Sequence, residues 1–167
     1  MATKTPKDVF VMLLSNAKQN TELTAGIFKE MSQLVEDPDA KEGLESRVFV
    51  SEKMVAQIDR CFKLLGEQPV KVNTQAQEAL AEEFRKELAD IQSPPARRLY
   101  VLTKAVQFSH LRIAEFLVLT ATADMTGHFG IGVLLESCLA DTLSFVERTR
   151  RLVRMVAEGK LAEKLAA

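Results

Sequence analysis

Four long stretches of this chain place small and apolar residues at alternating steps of three and four, and no two-residue alternation persists anywhere. With 3.6 residues per helical turn, such spacing lays one stripe along one side of an α-helix; a strand would need a period of two. The first series is Leu14, Ala17, Thr21, Thr24, Phe28 and Met31. The second is Leu44, Val48, Ser51, Val55, Ile58, Phe62 and Leu65. A third runs through Leu99, Leu102, Val106, Ser109, Ile113, Phe116 and Thr120, and a fourth through Leu135, Cys138, Thr142, Phe145, Thr149, Leu152 and Val156. Each stripe needs a partner to bury it, so the fold class is all-α.

Helix-breaking residues fall at regular places. Thr5-Pro6-Lys7-Asp8 reads as a helix start, with a capping hydroxyl, a proline in the first turn and an acid at the positive end of the dipole. That helix is expected to end near Val35, where Asp37-Pro38-Asp39 opens a second, with Asp39 and Glu42 spaced as a capping box. The second stops at Gly66. Thr74 and Gln77 form another capping-box pair before a short helix over residues 75–91. Ser93 and Pro94 start a fourth helix that runs to about Ala123, and the fifth covers about residues 131–158, ending at Gly159. Two long hairpins joined by a longer connection describe a four-helix bundle with a crossover, the short helix lying in that crossover. Residues 1–167 form a single domain, with a frayed tail from about residue 160.

Charge and composition exclude several classes. Lys plus Arg is 22 and Asp plus Glu is 23, a net charge of −1. A binder of nucleic acid or of anionic membrane would ordinarily be basic, so neither partner is expected. The longest uncharged run, residues 125–135, is too short to cross a bilayer. No charged-then-apolar leader opens the chain, and two cysteines do not make a disulfide framework; the expected location is the cytoplasm.

The middle of a crossover bundle is where chemistry is usually built, from carboxylates on two helices and Glu-x-x-His on the other two. Here the mid-stripe residues are hydroxyls: Thr21, Thr24, Ser51, Ser109 and Thr142. A buried hydroxyl can donate to the carbonyl four residues back on its own helix and costs little there. Metal ligands, if present, would be the neighbours Glu22, Glu52, His110 and Asp141, with Val55 standing where a histidine would follow Glu52. Cys61 and Cys138 read as small core residues, His128 as a turn residue. Arg148, Arg150, Arg151 and Arg154 form a basic face suited to the negative end of a helix dipole. No phosphate-binding glycine loop or nucleophile–base constellation is found.

The fourth helix is apolar on a second side, at Tyr100, Val101, Phe108, Leu111, Leu117, Val118 and Leu119, and the fifth adds Val133, Leu134, Leu139, Leu143 and Val146. The short helix can cover part of this with Leu80, Phe84 and Leu88. What remains predicts a homodimer through the fourth and fifth helices.

Several segments resemble the bacterial YciE/YciF-like family: Asp8-Val9-Phe10-Val11-Met12-Leu13-Leu14-Ser15 at the opening, Gln57-Ile58-Asp59-Arg60, His110-Leu111-Arg112-Ile113-Ala114, and Leu134-Leu135-Glu136. The resemblance implies a ferritin-like fold, a di-metal carboxylate site, a link to stress responses and dimerisation. Position by position, Thr21 and Ser109 stand where the family pattern implies Glu, Val55 where it implies His, and Arg112 where it tends to be acidic. The expectation is therefore a ferritin-like structural or stress-associated protein rather than an enzyme, without an intact di-metal centre and with no cofactor. One alternative is an active di-iron or di-manganese protein with shifted ligands Glu22, Glu52, His110 and Asp141. Another is a helical interaction module.

Overall fold

The computed structural model describes the backbone of residues 5–166 and the side chains of residues 5–159. The described residues form five helices and no strand: α1 (Pro6–Gln33), α2 (Pro38–Leu65), α3 (Gln75–Ala89), α4 (Pro94–Met125) and α5 (Phe129–Ala166). From residue 160, where a frayed tail is expected, only the backbone is described, and it is helical to Ala166.

Local chemistry explains most boundaries. Thr5 and Asp8 complete a reciprocal capping box at the start of α1. Asp37, rather than Asp39, caps α2 through a hydrogen bond from the Ala40 amide. Gly66 ends α2 with φ +66°, a conformation that glycine adopts without the Cβ clash of other residues. Thr74 makes no backbone cap; its hydroxyl donates to Glu78, and Asn73 accepts from the Gln75 amide instead. Gly159 does not stop α5. Among the described residues only Gly66 and Gly127 have positive φ, so Gly159 stays in the helical region and the helix runs on.

α1 packs against α2 and α4, and α5 packs against the same two. Phe10 stacks on His128, Asn20 bonds Glu115 and Arg98 pairs with Asp37, so α1 and α4 run antiparallel. Contacts of Arg47 with Thr142 and Gln57 with Ser137 make α2 and α5 antiparallel too. The connection from α2 to α4 travels the length of the molecule: Glu67 lies beside Lys7 and Arg98 beside Asp37, at opposite ends of α1. α3 lies along that path, clamped by Phe84 stacked on Tyr100, by the Arg85–Glu30 pair and by Lys104 between Glu83 and Glu87.

The inward stripes of α1 and α5 are close to those the spacing predicts. Those of α2 and α4 are shifted. Val48, Val55, Val106 and Thr120 are only half-buried, while the inward series are Leu44, Arg47, Ser51, Met54 and Ile58, and Leu102, Ala105, Ser109, Arg112, Phe116 and Leu119. Choosing apolar residues at each step excludes arginine, yet the helical phase set by Met54 and Phe116 carries Arg47 and Arg112 inward.

The second apolar side of α4 also shrinks. Val101 and Phe108 are buried with Phe84 and Leu88 of α3, and Leu119 and Val146 are buried within the chain. Leu117, Val118, Val133 and Leu143 remain exposed, with Met125 and Phe129 at the α4–α5 turn. Within Phe129–Gly159 of α5 an 18-residue window with no more than two charges reaches a mean hydropathy of 1.5, so by length and composition alone this helix could cross a membrane. Its stripe from Ile131 through Val156 is nonetheless buried against other parts of the chain.

Candidate functional site

The core is two apolar clusters. One gathers Phe28, Met31, Leu44, Phe84, Leu102 and Val156; the other Phe10, Leu14, Met54, Phe62, Phe116 and Leu135. The buried polar residues of the four long helices fall chiefly between them. Thr21 donates to the Ala17 carbonyl, Thr24 to Asn20, Ser51 to Arg47, Ser109 to Ala105 and Thr142 to Cys138, at 2.6–2.9 Å. Every one of these five hydroxyl protons is committed to its own helix, as a buried Ser or Thr in a helix allows.

Two guanidinium groups share this layer. Arg47 is 2% exposed and Arg112 1%. Arg47 lies over the rings of Phe28 and Phe145, 5.7 and 5.4 Å from their centroids, and donates from Nη2 to Thr142 at 3.2 Å. Its Nε and Nη1 have no acceptor. Burial pulls its pKa down to about 10, with Asp141 opposing that shift and Arg112 adding to it. Arg112 Nη1 approaches Glu115 Oε2 to 2.9 Å, an ion contact without hydrogen-bond geometry. The other Glu115 oxygen accepts from Asn20 at 2.8 Å. Burial raises the Glu115 pKa, and Arg112 and Asn20 only partly offset it.

The proposed shifted ligands do not converge. Glu22, Glu52 and His110 are exposed, each beside an inward hydroxyl or one turn from an arginine but on the outer face of its helix. Asp141 is half-buried, 3.7 Å from Lys53. No group of three or more His, Cys, Asp or Glu placed to hold a metal ion occurs among the described residues. The residues that face the layer are helix-bonded hydroxyls, the guanidinium groups of Arg47 and Arg112, and Asn20 with the Glu115 carboxylate beside Arg112, so most of the charge gathered there is positive, where a pair of metal ions would draw on several carboxylates.

Cys61 and Cys138 are free, buried thiols whose pKa burial pushes up to about 12. Arg148 pairs with Glu42, and Arg150 and Arg151 with Glu147, so the basic face of α5 is largely spent on surface pairs. Cavities open beside the layer on both sides. One of about 410 Å³ between α1 and α4 is lined by Leu13, Asn20, Glu115 and Val118; one of about 230 Å³ between α2 and α5 is lined by Arg47, Asp141, Phe145 and Arg148. Arg47, Asn20 and Glu115 are the polar residues that stripe reading passed over. Counting back from Met54 by three and four, through Ser51, reaches Arg47.

Three solved structures are similar in fold. The Escherichia coli stress protein YciF superposes with a TM-score of 0.87 at 18% identity, covering 93% of this chain and 98% of its own. YcfI, a candidate structural protein from Rhodopseudomonas palustris, gives 0.81 at 23%, covering 89% and 94%. A protein from Xanthomonas campestris gives 0.74 at 17%, covering 96% and 98%. No curated protein matches the sequence. The sequence profile described as "Domain of unknown function (DUF892)" matches residues 5–164, nearly the whole chain, and the protein is a member of that YciF-like family.

Proposed function

We propose that this protein is a ferritin-like four-helix bundle, structural or stress-associated and cytoplasmic, whose central layer has exchanged a di-metal centre for hydroxyls and two buried guanidinium groups. The observation that carries the reading is the inward burial of Arg47 and Arg112 between the two apolar clusters. A guanidinium supplies fixed positive charge and five donors, and it repels the cations that a carboxylate cage would collect. The names of the fold neighbours, a stress protein and a candidate structural protein, support the biological side of the reading. The exposed residues Leu117, Val118, Val133 and Leu143 on α4 and α5 support a homodimer through those helices.

Metal analysis of protein purified without chelator tests this directly. The expected result is iron and manganese far below one atom per chain and no near-ultraviolet absorption of an oxo-bridged pair. A stoichiometric pair of irons would overturn it.

A further inference from the structure

α3 is attached to the bundle by one short apolar row and a set of ion pairs. It packs on α4 and α1. Its buried residues are Gln77, Ala81, Phe84 and Leu88, whereas α1, α2 and α4 carry buried residues along most of their length. A helix of 15 residues is not stable in water by itself, so these few attachments decide whether α3 stays in place. Non-helical connections at residues 66–74 and 90–93 flank it, and it can leave without unwinding α2 or α4.

The polar attachments lie near the surface. Arg85 of α3 donates to both carboxylate oxygens of Glu30 on α1, at 2.9–3.1 Å. Lys104 of α4 lies 2.8 Å from Glu87 and 3.2 Å from Glu83, with its ammonium 5.4 Å from the centroid of the Tyr100 ring. The Tyr100 hydroxyl donates to Glu87. The Lys104 side chain is 14% exposed, while those of Glu83 and Glu87 are about half exposed. The cation therefore belongs to the surface that α3 covers, and its two partners to the helix lying on it. Lifting α3 breaks these pairs together and leaves the packing of α1 on α2 and of α4 on α5 in place. Regions with few buried contacts open ahead of the whole molecule. We propose that α3 is a strap that detaches as a unit while the four long helices stay packed, and that its ion pairs with Glu30 and Lys104 set how often it does. Detachment uncovers Val101 and Phe108, now buried with Phe84 and Leu88, so ionic strength governs access to the second apolar side of α4.

Amide hydrogen exchange of the full chain, read by mass spectrometry, tests this. Amides of α3 should be at least about tenfold less protected than those in the middle of α1 and α4. Raising potassium chloride from about 0.1 M to about 1 M cuts the Debye length from about 10 Å to about 3 Å. Exchange in α3 should then rise about fivefold relative to the long helices, the loss of a few surface pairs. Lys104→Met keeps an apolar stem beside Leu80, Phe108 and Leu111 and removes the charge. It should raise α3 exchange about fivefold at low salt and remove most of the salt response. Arg151→Gln breaks a pair confined to α5 and should leave α3 unchanged. The proposal is overturned if α3 is as protected as the middle of α1 and α4, so that it opens only with the whole molecule. It is overturned equally if salt speeds exchange in all five helices alike, or if Lys104→Met leaves α3 exchange unchanged.

Discussion

Ser51 and Ser109 point into the core, yet each spends its proton on a carbonyl of its own helix and so asks nothing of its neighbours. Replacing either by alanine removes a polar group together with its modest bond, and should change stability by less than about 1 kcal/mol in urea unfolding. A loss above about 2 kcal/mol would show that the hydroxyl serves another partner in the layer. Glu115 behaves differently. Its pKa in the fold is raised from 4.5 by burial. As pH rises, the unfolded chain ionises this group first while the folded chain still holds the proton, so its contribution to stability is full below 4.5 and is lost as pH climbs through the folded value. Glu115→Gln removes that dependence. Melting temperatures of the two proteins at acid and neutral pH should therefore show the variant gaining on the parent as pH rises; parallel profiles would contradict the shift.

Helix starts offer a contrast at the level of elements. Thr5 completes a reciprocal box with Asp8, whereas Thr74 and Ser93 occupy cap positions without bonding a backbone amide. The dihedral angles give the reason for Thr74, whose backbone (φ −103°, ψ 2°) is not the extended form that aims a cap hydroxyl at the helix. Thr5→Ala should cost about 1 kcal/mol, and Thr74→Ala and Ser93→Ala no more than about 0.5 kcal/mol. Chemical denaturation of the three variants checks this ordering. The sequence places a cap-type residue before each of these helices but does not reveal which ones bond, because the Gln77 amide that the Thr74 hydroxyl would cap is taken by the Thr74 carbonyl.

For the whole molecule, the test is assembly. α3 buries part of the second side of α4, but Val133 remains 66% exposed and Val118 55%. Light scattering at micromolar concentration should give twice 18.6 kDa; a monomer would reject the dimer. Leu117→Asp with Val133→Asp, both outward, should yield a monomer that keeps its helical circular dichroism. Covering this face in a dimer would also account for the high apolar content of α5, which by length and mean hydropathy would otherwise pass for a membrane-crossing segment.

Sequence by itself determined that the chain is helical, roughly where five helices begin and where the first four end, and that hydroxyls line the middle of the four long ones, since periodicity, prolines and caps are local properties read within a few residues. The family was legible in the same way, from short segments such as Asp8 to Ser15. Tertiary structure alone decided which residues beside each stripe turn inward. Glu22, Glu52 and His110, the acids and imidazole that looked like ligands, face outward, while Arg47 and Arg112 face the core. A step of one residue turns a helix by about 100°, so a small error in phase exchanges the inner for the outer face. That phase is fixed by how Met54, Phe116 and their neighbours pack across helices far apart in the chain. That Arg47 and Asp141 line one cavity belongs to the same class, because the pairing joins α2 to α5 and no local pattern encodes it.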